Sequence, residues 1–478
     1  MRKILYLLIP GLSILGLGFD LSILTAQGTA PITETYGPAA SKLIAAALAD
    51  DDGYKKLEYL TTRIGNRLSG SATLDTAIHW FADTMKADGL ENVRIQPVKV
   101  PHWVRGRESA SFLSPIQAPL TVLALGNSLG GPAEGITAEV VMVHSLEEMD
   151  QLGREKLQGR IVFLNHNWPG VDERARYGAT SPLRTRGASR AAKYGAKAFL
   201  IRSLTGVDLK VPHTGAMNYE DGIEKIPAAA LTLPDADRIA QFLKSGKKVE
   251  IHLELVGHHF EPDADSGNVM GEIRGRELPN EVVVLGGHID SWDVGQGAQD
   301  DGSGIVAAWQ AVELIKKLGL KPRRTIRVAG WTNEENGGRG GRAYAAEFAK
   351  QTVAAFEMDG GAERPSGFNL AIGKAPTTSP AYINALGIMD QINRLLHTSS
   401  DMKIEAGGGG SDTQELANAN VPTLGLYTVR KHYFDWHHTA ADTIDKVDKK
   451  DFRRCIAALA VASYILADMP GHLGDAAH

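Results

Sequence analysis

From about residue 267 onward the chain alternates β-like and helical runs, and this order constrains the fold more than any other feature. Residues 282–285 are a continuous aliphatic run, followed by a helical pattern over 305–318. Residues 325–331 read as a second strand, 341–348 as a helix and 354–358 as a third strand. Such alternation argues for an α/β sheet with helices on both faces. Upstream, residues 37–90 look helical, and Leu74, Ala77, Trp80, Phe81 and Met85 share one helix face. Residues 92–100 alternate as a strand would. Between about 105 and 262 short β-like runs dominate, with one clear helix pattern at 189–194 that ends at Gly195. The expected plan is one α/β domain split into residues 31–104 and 263–478, with a β-rich module inserted over 105–262.

Open α/β sheets bind ligands at the carboxyl ends of their strands. The first of these ends reads Leu285-Gly-Gly-His288-Ile-Asp290, followed by Gln299-Asp300-Asp301-Gly-Ser-Gly304. One His and three Asp there make either a metal site or an unusually polar loop. The second strand runs into Glu334-Glu335 and the third into Asp359-Gly-Gly. A later segment, Tyr433-Phe-Asp-Trp-His437-His438-Thr-Ala-Ala-Asp442, adds imidazoles.

Each piece alone has a bland reading. A Glu pair is usually solvated surface, Asp300-Asp301 can cap a helix starting near Ser303, and a His pair is often structural. Together, in order and at strand ends, they point to metal. A catalytic zinc takes about three protein ligands and a water. His288, Asp300, Glu335, Asp359 and His438 suffice for two such ions if one carboxylate bridges. Glu334 is then free to act as a base toward water.

Composition excludes more than it assigns. A net charge of −5 without a long basic run gives no support to nucleic-acid or anionic-membrane binding. Met1-Arg-Lys3, the apolar run 4–24 and the small residues Ala26 and Ala30 read as a secretory signal peptide, about residues 1–26. Pro10 and several glycines argue against its persistence as a membrane anchor. Cys455 is the only cysteine, so no intrachain disulfide can form, and its apolar surroundings predict a buried, inert thiol. Export to a periplasm or the extracellular space is expected.

These residues resemble the dinuclear zinc exopeptidases that include bacterial secreted aminopeptidases and glutamate carboxypeptidase. The likeness rests on Gly287-His-Ile-Asp-Ser-Trp-Asp-Val-Gly-Gln-Gly-Ala298, Asp300-Asp-Gly-Ser-Gly304, Trp331-Thr-Asn-Glu-Glu-Asn-Gly-Gly338, Gly410-Ser-Asp412 and His437-His438. It implies a three-layer domain with a mixed central sheet, a protease-associated insert, two zinc ions per subunit, short peptide substrates and a homodimer. By the same resemblance His288 and Asp359 bind one metal, Glu335 and His438 the other, and Asp300 bridges. Glu334 is general base and then general acid, and Asp290 orients His288. Many relatives place a Tyr where this chain has His437, which makes His437 a candidate oxyanion donor. Ser411 and Asp412, after the glycine run 407–410, are candidate substrate contacts. The implied activity is that of a metallocarboxypeptidase or dipeptidase, with an aminopeptidase of the same family as the alternative. Arg339, Arg342 and Arg430 are candidate partners for a substrate carboxylate.

Two readings of other classes compete. Gly126-Asn-Ser128-Leu-Gly130 fits the Gly-x-Ser-x-Gly pattern of serine hydrolases, but Gly131-Pro132 and Gly135 oppose the helix that a nucleophile elbow needs. An inactive binding protein would have lost metal ligands that this chain retains. His166, His213 and the pair His258-His259 read as structural or exposed.

Overall fold

The computed structural model describes residues 31–168, 173–397 and 401–475; the expected signal peptide lies outside them. Eight strands form the larger sheet: β1 (Glu91–Val104), β2 (His258–Ile273), β3 (Leu278–His288), β4 (Arg324–Trp331), β5 (Thr352–Glu357), β6 (Pro365–Ile372), β7 (Lys403–Ala406) and β8 (Pro422–Thr428). Their spatial order is β1-β2-β4-β3-β5-β8-β6-β7. The centre, β4-β3-β5-β8, is parallel, while β1 with β2, β2 with β4, and β8 with β6 pair antiparallel. This is the mixed α/β sheet expected.

Alternation along β3 explains its unbroken apolar run. Val282 and Val284 enter a core shared with Tyr344 and Phe348 of the helix Arg339–Phe348. Val283 and Leu285 enter the opposite core, shared with the helices Ser303–Lys317 and Lys449–Asp468. A central parallel strand covered on both faces has no solvent side, so every position is apolar. Cys455 is buried in the second of these cores, and burial pushes its thiol well above its ordinary range.

The inserted segment forms a second eight-stranded sheet, from strands lying between Glu108 and Leu255, with two cores of its own. It carries more helix than its short apolar runs imply: Leu146–Leu157, Glu173–Lys193 and Leu233–Lys244. The pattern at 189–194 is only the last turn of the second of these, whose earlier part holds Gly178 and Pro182. Such residues weaken an isolated helix, and tertiary packing overrides them here. β2 runs unbroken through residue 262 and pairs with β1 from Glu91 to Val104, so the insert departs from a continuous two-stranded ribbon rather than from a loop. Among the described residues no helix is long and apolar enough to cross a membrane.

Candidate metal centre

β3 delivers His288 to its carboxyl end through Gly286 and Gly287. A Cβ on Gly287 would lie 2.0 Å from Asp301 Oδ2, so only glycine lets the strand approach this closely. Asp301 Oδ2 accepts from the His288 N–H at 3.1 Å, and its Oδ1 accepts from the Gly304 N–H at 3.1 Å. The expected helix-capping residue therefore also pins the strand end.

His288 is fully buried, with Nδ1 against the Asp290 carbonyl at 2.9 Å. A proton held there leaves the Nε2 lone pair facing the cluster. His288 Nε2 lies 3.2 Å from Asp300 Oδ1, 3.8 Å from Asp359 Oδ1 and 4.0 Å from Glu334 Oε2. On the other side, Asp300 Oδ2 lies 3.3 Å from His438 Nε2 and 3.4 Å from His437 Nε2. His438 Nε2 is 3.1 Å from Glu335 Oε2. His288, Asp300 and Glu335 thus form one donor group, and Asp300, His437 and His438 another, each with its ligand atoms within 4.8 Å. Asp300 belongs to both.

These residues fit a metal on their own chemistry. His288 Nε2, Asp300 Oδ2 and Glu335 Oε1 are buried without a hydrogen-bond partner among the described residues. Lone pairs facing each other in a dry cluster are reconciled only by protons or by a cation. Imidazole and carboxylate are the donors zinc accepts.

Asp290 reaches the His288 imidazole through its backbone carbonyl, while its carboxylate stands off, with Oδ1 4.0 Å from His288 Nδ1. Its oxygens accept instead from the backbone N–H groups of Glu334 at 3.1 Å and Glu335 at 3.4 Å, and from Ser69 Oγ at 3.3 Å. A buried anion collects the nearest N–H donors, and the Glu334-Glu335 turn supplies them. The Asp412 side chain is buried and lines neither cavity beside the site. The Asp412 and Thr413 N–H groups bond to Glu357, which draws that turn inward. Ser411 lines both cavities. Ser128 is structural: its Oγ accepts from the Ala228 N–H at 2.9 Å and donates to the Leu129 carbonyl, and no helix follows it.

Residues 268–463 match the profile of Peptidase family M28. Carboxypeptidase Q of Mus musculus is 40% identical over 416 residues, covering 87% of this chain and 86% of that protein. The Homo sapiens protein of the same name is 39% identical over 440 residues, covering 91% and 89%. The chain belongs to peptidase family M28. It is a metallo-exopeptidase. A crystal structure of a peptidase M28 precursor from Shewanella amazonensis SB2B matches this M28 peptidase with a TM-score of 0.86 at 34% identity, over 93% of this chain and 99% of that one. BSAP, a zinc aminopeptidase from Bacillus subtilis, shares the fold at 18% identity and a TM-score of 0.63, over 89% and 97%.

Several residues of this M28 peptidase escaped the sequence reading. Asp442 accepts from the Gln299 and Asp300 N–H groups at 2.8 and 3.2 Å and so sets the backbone of the shared carboxylate. Arg67, fully buried, donates to the carbonyls of Ile289, Gln296 and Gly297 and staples the loop after β3. The insert also reaches the centre. The Thr214 N–H donates to the His438 carbonyl at 3.0 Å, and the Thr214 carbonyl lies 3.3 Å from His438 Nδ1. The buried His213 ring is 5.6 Å from that of His437, and Tyr177 stands edge-on to His437 at 4.8 Å. Only the Tyr433–Asp442 segment carried a sequence signal, through its two histidines.

Burial pushes Glu334 and Glu357 up to about 7, with nearby carboxylate charge adding to it. Burial and the Asp300 charge take Glu335 to about 8 and Asp442 to about 7. Burial lowers His288, but Asp300, Asp359 and Glu334 outweigh it and hold the imidazole well above its usual range. Burial and the neighbouring His438 hold His437 and His213 well below theirs.

A pH dependence follows for the metal-free protein. Between pH 6.5 and 8 the folded carboxyls retain protons that the unfolded chain, with ordinary values of 4.5 and 3.8, has released. The folded state binds more protons, so stability falls as pH rises through this window. The raised His288 acts in the same direction, and the two lowered imidazoles oppose it only weakly, near the lower edge of the window, where the unfolded imidazoles, with an ordinary value of 6.5, still release protons. In excess chelator the melting temperature at pH 8 is expected about 5 °C or more below that at pH 6.5, and zinc should remove the difference. Calorimetry at the two pH values checks this, and equal melting temperatures would refute the crowding of charge.

Proposed function

We propose that this M28 peptidase is an exported dinuclear zinc exopeptidase that hydrolyses dipeptides or removes terminal residues from short peptides. The observation that carries the reading is the position of Asp300 between two donor groups, with Glu334 4.0 Å from His288 Nε2 and lining the larger cavity. His288, Asp359 and Asp300 would hold one ion, and Glu335, His438 and Asp300 the other. Zinc in these places supplies Lewis acidity, which acidifies water and draws electron density from the scissile carbonyl.

The chain's own groups do the rest. Glu334 takes a proton from the attacking water as the new C–O bond forms. It returns that proton to the leaving amine as the C–N bond breaks, so no covalent enzyme intermediate arises. Asp290 holds the Glu334 backbone, and Asp442 holds that of Asp300. His437, whose buried Nδ1 has no partner among the described residues, is the candidate donor to the developing oxyanion. Tyr177, His213 and Thr214 pack over His437 and His438, which supports a restriction to short substrates. The carboxypeptidase sense follows the relatives' name; the aminopeptidase sense is the alternative.

Purified protein should carry two zinc ions per chain by elemental analysis and cleave free dipeptides. Chelation should abolish cleavage. A dipeptide acetylated at its N-terminus should still be cut, while one blocked at both ends should not. Rapid cleavage of doubly blocked or long folded substrates would remove the exopeptidase reading.

A further inference from the structure

Two cavities flank the centre and share Gly409, Gly410 and Ser411 as a common ridge. The larger, of 710 Å³, contains Glu334 and Arg342. The smaller, of 330 Å³, adjoins Asp359 and His437, and its walls include Tyr177, Phe434, Leu426 and Tyr427. A peptide lying across the ridge would place one side of its scissile bond in each. The smaller cavity has the size for one amino-acid residue and walls that mix aromatic rings with polar groups, and among the described residues Arg430 is the single Arg or Lys that lines it.

Arg430 is held ready for an anion. Its Nη2 donates to the Asp359 carbonyl at 2.7 Å, which ties it to the metal-side loop. Its guanidinium lies 5.1 Å from the Tyr427 ring and 5.6 Å from that of Tyr433. It also packs flat on Gly360, where a Cβ would meet Nη2 at 1.9 Å. Nε is buried without a partner among the described residues.

The acids nearby are otherwise engaged. Glu357 accepts from the Asp412 and Thr413 N–H groups and from Thr413 Oγ1, and Asp359 Oδ1 accepts from Tyr433 Oη at 3.4 Å. Arg339 and Arg342 are less suited. Arg339 is paired with Asp263, and Arg342 is exposed, with Nη2 on the Gly337 carbonyl. A planar fork in a partly dry aromatic cavity is the arrangement that recognises a carboxylate.

We propose that Arg430 binds the free α-carboxylate of the residue on the leaving-amine side of the scissile bond, making this peptidase a carboxypeptidase or dipeptidase. The assignment rests on the exopeptidase reading above and adds the terminus that is recognised and the residue that recognises it.

The test compares kcat/KM for a dipeptide and for its C-terminal amide in zinc-loaded wild type, Arg430→Met and Arg430→Lys, with zinc content and melting temperature measured for each. Wild type should prefer the acid by ~100-fold or more, the scale of a lost charged hydrogen-bond pair. Arg430→Met should bring the ratio to within ~5-fold, chiefly through KM of the acid, and Arg430→Lys should lie between. Equal use of acid and amide by wild type would overturn the assignment while leaving the exopeptidase reading standing. So would an Arg430→Met variant that slows both substrates and keeps the ratio, since that marks a structural role through Asp359. Failure of wild type to cut any small peptide would defeat the exopeptidase reading and this assignment with it. If Arg430→Met does not fold, inhibition of wild type decides: free amino acids should compete with substrate and their amides should not, and the reverse order would refute the carboxylate site.

Discussion

Glu334→Gln is expected to retain zinc and lose turnover, with kcat falling roughly 1000-fold, the middle of the range for a lost general base. The glutamine is isosteric, so packing should persist, and Asp290 Oδ1 can still accept from the residue 334 N–H. The Glu334 carboxylate is 4.0 Å from His288 Nε2, and its side chain is 17% exposed, open to the larger cavity. Glu335, by contrast, is buried against His438. Neighbours in sequence therefore face different ways: Glu335 meets the donor cluster and Glu334 the larger cavity. In the metal-free protein burial pushes Glu334 up to about 7. Steady-state kinetics with elemental analysis of the same preparation measures the effect. A kcat near that of wild type would remove Glu334 from the proton path, and loss of zinc along with activity would recast it as a ligand.

The gathering of His288, Asp300, Glu335 and His438 in one cluster was legible because these are donor residue types and each follows a recognisable strand or helix boundary. The central strands were legible for a related reason: burial on both faces writes an unbroken apolar run, as at Val282–Leu285. What the sequence hid depends on chain closure over long distances. Arg67 staples the carbonyl of Ile289 from 222 positions away, and nothing local to Arg67 announces that role. His213 sits in Pro212-His-Thr214, without periodicity, and gains significance only because the insert folds back over His437. The tie between His288 and Asp290 was legible in their spacing, but not that it runs through the Asp290 carbonyl: the carboxylate is taken by backbone donors that arrive from the turn after β4.

Asp300→Ala is expected to remove both metals, and with them nearly all activity. The carboxylate spans the two halves of the centre, with Oδ1 3.2 Å from His288 Nε2 and Oδ2 3.3 Å from His438 Nε2. Its loss strips a ligand from each half and leaves two cations without the anion between them. The fall in zinc affinity at both sites should exceed the roughly 10–100-fold that follows loss of an outer hydrogen-bond partner. His288→Ala and His438→Ala each touch one half only, so each should leave one zinc bound near wild-type affinity. Backbone disruption is a weak rival explanation, because Asp442 holds the residue 300 N–H whatever the side chain, and circular dichroism would expose it. Equilibrium dialysis with elemental analysis separates the cases. If Asp300→Ala keeps one zinc at wild-type affinity, Asp300 serves a single ion and the bridge must lie elsewhere; if it keeps two, the centre is not built on Asp300 at all.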